Sequence, residues 1–282
     1  MRVLSSLMGG ALAIASMVSS TSILIPLYVW PEDDSTWGPV YNAAAAHPNI
    51  QFQVIINPSS GPGSSGKSHP PIKSTWFKHL TLRYSEYPDE SYISAVAKLN
   101  NYSNVQTLGY VDTQFTTRDV SDVENDVSIY QGWSSYKNSN ITISGIFFDD
   151  APNENNEAKI SYMQQISSTA KSSNMRFVVF NPGTTLQSGS AKGYFDAADL
   201  IVEFENTYST WISSTPADHF SGKADYSKDA IILYNAPLAA DYDAVVKEAT
   251  QMGLGAAYLT NDDDYSSVAS VQKVIQAFVD AA

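Results

Sequence analysis

The sequence contains no cysteine in its 282 residues. That excludes a disulfide framework and a thiolate metal site. Histidine is nearly as scarce. There are four, with no His-x-x-x-His pair, so no zinc site is expected. Positive charge is thin. Sixteen Lys and Arg stand against 29 Asp and Glu, for a formal net charge of −13. With no basic cluster, neither nucleic acid nor an anionic membrane is an expected partner. A neutral or cationic partner is compatible with such a field. No Gly-x-Gly-x-x-Gly follows the first apolar run, and "GPGSSGK" has the wrong spacing for a phosphate loop. No cofactor is expected.

Long apolar runs are also absent, apart from "VLSSLMGGALAIASMV" behind Arg2. That stretch is short and rich in small residues, and Val18-Ser19-Ser20 offers a small-residue cleavage site. It reads as a secretory leader over residues 1–20, followed by one domain over 21–282, with no interdomain linker. It is too short for a confident membrane span. The expected destination is extracellular, with the cell wall as one option, and a monomer is expected. Two glycosylation sequons fit that route, at Asn101 and Asn140.

What is present is a rhythm. Eight apolar runs recur: "SILIPLYVWPE", "IQFQVIINP", "VQTLGYVDT", "ISGIFFDD", "MRFVVFNPG", "LIVEFEN", "AIILYNAP" and "LGAAYLTNDD". Near-continuous apolar runs suit parallel strands buried on both faces. Helical patterns lie between them, clearest in "SYISAVAKLNNY", "ENNEAKISYMQQISSTAKSSN", "DYDAVVKEATQMG" and "DYSSVASVQKVIQAFVDAA". Weaker ones follow "FNPG" and "VEFEN". Eight strand–helix units in a chain of this length predict an α/β fold, a single (β/α)8 TIM barrel. An open doubly wound sheet is the runner-up. The segment Ser59–Glu90 is long, irregular and carries Trp76, Tyr84 and Tyr87. It is expected to cover part of the barrel mouth, with one or more of those aromatics lining a groove.

Active sites of such barrels lie at the C-terminal strand ends. Read in order, those ends are Glu32 or Asp33, Asn57, Asp112, Asp149–Asp150, Asn181, Glu205, Asn235 and Asn261–Asp262. This rim has carboxylates and carboxamides but no His, Cys or evident Ser nucleophile. Acid–base work would fall to carboxylates, and two carboxylates are what glycoside hydrolysis requires. Tyr28, Trp30, Trp37, Tyr110, Tyr208, Trp211 and Tyr234 crowd the same ends. Sugar rings stack on aromatics, and Asn and Asp bond hydroxyls. The candidate substrate-binding residues are therefore Tyr28, Trp37, Asn57, Tyr110, Asp112, Asn181, Tyr234 and Asn235. By strand alternation Asp149 and Asp150 point to different sides, whereas Glu203 and Glu205 share a face. Glu203, the deeper of the two, reads as structural, bonded to a rim residue on a neighbouring strand.

The combination "IPLYVWP", "VIINPSSGPG", "LGYVDT", "GIFFDD", "NPG" and "DLIVEFENTYSTW" resembles the spherulin-4-like family of secreted proteins of fungi and slime moulds. The resemblance runs from about Ile23 to the C-terminus. It implies a (β/α)8 glycoside hydrolase. Such an enzyme cuts, with retention of configuration, inside α-1,4-linked N-acetylgalactosamine stretches of a fungal galactosaminogalactan. The polysaccharide is then the expected partner. The family's acidic pair falls on Asp149 and Asp150, and its glutamate on Glu205. The reading takes Asp150 as nucleophile, Glu205 as acid/base and Asp149 as an orienting carboxylate, with the order of Asp150 and Glu205 left open. This chain has Phe-Phe-Asp-Asp where the family pattern is Phe-Phe-Asp-Glu. The shorter arm keeps alternatives in view: a non-catalytic glycan-binding or wall-associated protein, or a structural protein of spores.

Overall fold

The structure, a computed structural model, describes residues 21–63, 87–222 and 225–281. The leader at 1–20, Trp76 and Tyr84 lie outside the described residues.

Eight strands close a parallel barrel in chain order: β1 (Ser22–Leu27), β2 (Phe52–Ile56), β3 (Val105–Asp112), β4 (Gly145–Asp149), β5 (Phe177–Phe180), β6 (Leu200–Thr207), β7 (Asp229–Tyr234) and β8 (Ala256–Leu259). Ser22 pairs with Ala256 to close the ring. Around it run α1 (Gly38–Ala46), α2 (Glu90–Leu99), α3 (Val120–Gly132), α4 (Glu157–Ser172), α5 (Ala191–Ala197), α6 (Tyr208–Ile212), α7 (Tyr242–Met252) and α8 (Val271–Ala281). The expected barrel is the observed one. Strands such as β1 and β2 are buried along their whole length. One side of each faces the barrel interior and the other faces the helices, which is why their sequences do not alternate.

Helix ends follow local chemistry. Asp89 caps α2 through Ser91 N–H, Asn156 caps α4, and Asp241 caps α7 through Ala244 N–H. Gly253 ends α7 at φ 79°, the left-handed position that glycine fills without a Cβ penalty. Two helices were not singled out from sequence. In α3 the buried positions are Val123, Val127 and Tyr130, a narrow stripe in an otherwise polar segment. In α1 a run of alanines carries little periodicity.

Three expectations about local structure fail. β1 stops at Leu27, so Tyr28 stands at the rim, while Glu32 and Asp33 lie out in the following loop. Asp33 folds that loop on itself, accepting from Ser35 and Thr36. The last helix starts at Val271, and residues 262–270 form a loop. There Ser266 N–H bonds Asp264 and Ala269 N–H bonds Ser267, side-chain acceptors that compete with helix formation. Finally, β6 carries a bulge between Val202 and Phe204 in its pairing with β7. The extra residue, Glu203, is fully buried. A bulge re-aims side chains, so Glu203 and Glu205 do not act on one face.

Candidate active site

The site is assembled at the C-terminal ends of β3, β4, β5, β6 and the loop after β8. β4 delivers Asp149, and alternation ends there because Asp150 has a left-handed backbone at φ 47°. The carbonyl of Asp150 accepts from Phe115 N–H at 2.7 Å and from the Thr113 hydroxyl at 2.7 Å. The carbonyl of Asp149 accepts from Thr113 N–H at 3.0 Å and from the same hydroxyl at 2.9 Å. Both aspartates are thus clamped to the β3–α3 loop through their backbones, leaving their carboxylates free to serve the mouth. The clamp is strained. Gln114, Phe115 and Thr116 are all left-handed, at φ 47°, 52° and 70°. Such residues cost roughly 1 kcal/mol or more each when they are not glycine.

Asn181 follows β5 and is the hinge of the arrangement. Its Oδ1 accepts from Gly183 N–H at 3.0 Å, which fixes the amide so that Nδ2 faces the acids. Gly183, at φ 64°, makes that turn possible, and its carbonyl receives Glu205 N–H at 3.0 Å. Nδ2 donates to Asp149 Oδ1 at 2.7 Å and to Glu205 Oε2 at 2.6 Å, one hydrogen for each. The two carboxylate oxygens therefore lie no further apart than those lengths laid end to end, about 5.3 Å. Tyr110 donates to the other Asp149 oxygen at 2.7 Å, and Tyr265 donates to Glu205 Oε1. Tyr28 sits between these two tyrosines, edge-on to both, with centroids 5.6 and 5.7 Å away.

Burial raises the pKa of Asp149, opposed by the hydrogen bonds from Tyr110 and Asn181. Burial also raises that of Glu205. The charges of Asp149 and Asp150 add to the rise, against hydrogen bonds from Tyr265 and Asn181. Asp150 is raised by burial and by its neighbours Asp149 and Asp112. Among the described residues its carboxylate has no hydrogen-bond partner.

Of the residues expected at the site, Tyr28, Tyr110, Asp149, Asn181 and Glu205 meet in one network, with Asp150 beside it. Asp112 lies next to them and holds Gln114 N–H at 2.8 Å. Tyr234 ends β7 near Tyr265, and Asn235 turns the chain at φ 52°. Two expected ligands are structural instead. Trp37 is wholly buried, its indole N–H bonded to the Val29 carbonyl at 2.9 Å and its ring against Tyr92. The Asn57 side chain accepts from Gly61 N–H at 3.1 Å and so shapes its own turn. Trp211 is also buried, bonded to Glu248. Tyr87 packs on Tyr136 with its hydroxyl 2.8 Å from Ser135, outside the acid network. Glu203 is structural as expected, but its partners are not strand residues. It accepts from Ser221 N–H and hydroxyl and from Leu186 N–H, in two loops. The sequence reading missed Tyr265, which lay inside an assumed helix. It also missed Thr113 and Phe115, which act through a turn that no pattern announces. Asp262, Asp263 and Asp264 bring carboxylate oxygens within 4.8 Å of one another at the rim, an exposed to half-buried group able to approach a cation. Asn101 and Asn140 are both exposed and lie before β3 and β4, at the end of the barrel opposite the acids.

Comparison with known proteins agrees with this picture. The chain is 32% identical over 203 residues to Spherulin-4 of Physarum polycephalum, covering 69% of this chain and 50% of that protein. It thus spans about half the length of the curated relative. Among solved structures it is similar to Aspergillus clavatus Sph3 in complex with GalNAc, with TM-score 0.75 and 25% identity over 92% of this chain and 98% of that one. An endo-1,4-beta-mannanase from Rhizomucor miehei shares the barrel at TM-score 0.50 and 12% identity, over 93% and 94% of the two chains. The model of Spherulation-specific family 4 matches residues 22–81 and 82–282, and the chain belongs to that family.

Proposed function

We propose that this protein is a secreted, endo-acting glycoside hydrolase that cleaves α-1,4-linked N-acetylgalactosamine or galactosamine in a polysaccharide, with retention. One observation carries the reading: a single amide nitrogen joins Asp149 to Glu205, holding two carboxyl groups close together at the barrel mouth. An upper bound of about 5.3 Å on the bridged oxygens is shorter than the roughly 6.5–9.5 Å of inverting glycosidases and is compatible with the roughly 5–5.5 Å of retaining ones. The similarity to a GalNAc-bound barrel supports the sugar class.

The roles follow from the network. Asp149 and Glu205 each accept hydrogen bonds on both oxygens and each is raised first by burial, so it is the field of the neighbouring carboxylates that separates them and leaves Asp149 as the nucleophile. Glu205 sits in the field of Asp149 and Asp150, which favours its protonated form and suits the acid. In the first step Asp149 attacks the anomeric carbon while Glu205 gives its proton to the leaving oxygen. In the second, Glu205 takes a proton from water, and the resulting hydroxide displaces Asp149 from the sugar. This exchanges the roles first read for Asp149 and Asp150. The unpartnered Asp150 carboxylate then binds substrate, and its shorter arm alters reach there rather than removing the nucleophile.

The test is digestion of a purified α-1,4-galactosaminan, acetylated and deacetylated, with product anomers followed by NMR. Oligosaccharides of retained configuration support the reading, and inverted products would reject the mechanism. The observation that favours a glycan-binding role is the Asp at position 150. If both the parent and Asp150→Glu bind the polymer and neither cuts it, that role replaces hydrolysis.

A further inference from the structure

Phe115 is a large apolar side chain left 52% exposed. It is the middle of three consecutive left-handed residues, none of them glycine. A bulky aromatic there leaves much apolar surface in water and adds backbone strain. Asn or Gly would meet the turn's needs better on both counts. No other ring packs on it among the described residues. Yet the turn is tightly specified. Gln114 N–H is held by Asp112 at 2.8 Å, Phe115 N–H by the Asp150 carbonyl at 2.7 Å, and Thr116 N–H by the Thr113 carbonyl at 2.9 Å. The ring is therefore presented on a rigid mount, one hydrogen bond from the backbone of the paired aspartates. Strain that surrounding bonds over-determine beside reactive groups is a mark of a functional surface.

We propose that Phe115 is the stacking platform of a sugar subsite next to the cleavage point. This rests on the glycosidase reading and adds a residue to it. The ligand is one pyranose ring of a longer chain, its C–H face laid on the exposed ring. The neighbouring residue of that chain lies over Asp149 and Glu205. A platform set to one side of the acids suits a polymer bound across the mouth and cut internally, rather than a single sugar held at a chain end. The subsite should therefore sense chain length.

Binding is measured by calorimetry on the full protein carrying Glu205→Gln, so that ligands persist. The probes are α-1,4-linked N-acetylgalactosamine oligomers of increasing length and free N-acetylgalactosamine. Phe115→Ala should weaken binding of the longer oligomers about tenfold and leave the monosaccharide unchanged. Phe115→Leu, which keeps apolar bulk without a ring, should lose as much, and Phe115→Trp should restore affinity. Ile212→Ala, at the exposed end of α6, should change nothing. Melting curves check that each variant is folded. If the parent binds long oligomers and Phe115→Ala or Phe115→Leu binds them equally well, the platform is overturned while the glycosidase reading stands. If the parent binds no oligomer of any length, both fall.

Discussion

Glu203 and Glu205 stand two residues apart on one strand and do opposite things. Glu203 is fully buried and spends its carboxylate on the loops, accepting from Ser221 N–H, the Ser221 hydroxyl and Leu186 N–H. Near it Asp229 is also fully buried, and among the described residues neither of its oxygens has a partner. Burial first, then the charges of Glu203 and Asp225, pushes Asp229 up to about 8. Glu205 is held instead by side chains, Asn181 and Tyr265, reaching in from other strand ends. The comparison teaches that what an acid bonds decides whether it is spent on the fold or left facing the mouth. Loop N–H groups left without a helix to absorb them need an acceptor, and Glu203 provides it. Side chains that converge on an acid from several strands leave it facing the mouth, where a substrate can arrive.

The sharpest way to break this contrast is to neutralise each glutamate in turn. Glu205→Gln should lower hydrolysis by about a thousandfold or more while the melting temperature barely moves. Glu203→Gln should do the reverse. It loses about 2–4 kcal/mol of stability, measured by urea unfolding, because one acceptor becomes a donor aimed at buried N–H groups. Turnover per folded molecule should be retained. If Glu203→Gln instead abolished turnover in a stable protein, the division of labour would be wrong.

A second, smaller effect is expected at the bridge. Asn181→Ala removes the one nitrogen that spaces Asp149 from Glu205, and kcat should fall about a hundredfold, as for an ångström of misplacement. An unaltered kcat would show that the spacing is set by Tyr110 and Tyr265 alone.

Asp229 offers a test of the structural half through pH. Its folded pKa is raised, so between about pH 4 and 8 the unfolded chain has lost a proton that the folded chain keeps. Stability therefore declines as pH rises through that window, on the order of 1 kcal/mol per unit for this group. In Asp229→Asn that component vanishes. Urea unfolding from pH 4 to 8 should show a flatter dependence than the parent, and identical slopes would refute the assignment.

The smallest effect belongs to Asp150. Its charge helps keep Glu205 protonated, so Asp150→Asn should move the basic limb of kcat/KM to lower pH. A shift to higher pH would mean that Glu205 is not the acid.

How much of this was legible beforehand differs from one element to the next. The barrel was legible because eight apolar runs, each buried on two sides, leave a mark that loops do not blur. Asp149, Glu205 and Asn181 were legible because they end such runs, and strand ends converge in this fold whatever the loops do. Trp37 and Asn57 end or follow runs too, but one turned into the core and the other onto its own turn. Sequence position cannot tell a rim side chain that faces the mouth from one that faces away. Tyr265 was hidden for another reason. Its surroundings have helical spacing, but Tyr265 is left-handed at φ 57°, and Asp264 and Ser267 accept N–H groups in local turns rather than a helix.

The sequence by itself determined that this chain would close a parallel barrel with acids and amides around one end. It also determined that no thiol or zinc chemistry would be expected there. Apolar periodicity and composition are local properties, and they survive without coordinates. Only the tertiary structure decided that Asp149 rather than Asp150 is bridged to Glu205, that Glu203 belongs to the loops, that Tyr265 bonds Glu205, and that the Phe115 backbone is tied to Asp150. Those outcomes depend on a left-handed residue at Asp150, a bulge at Glu203 and one amide held by Gly183. The first two are small changes of backbone direction and the third fixes an amide from two residues away, and none of them leaves a mark in an apolar pattern.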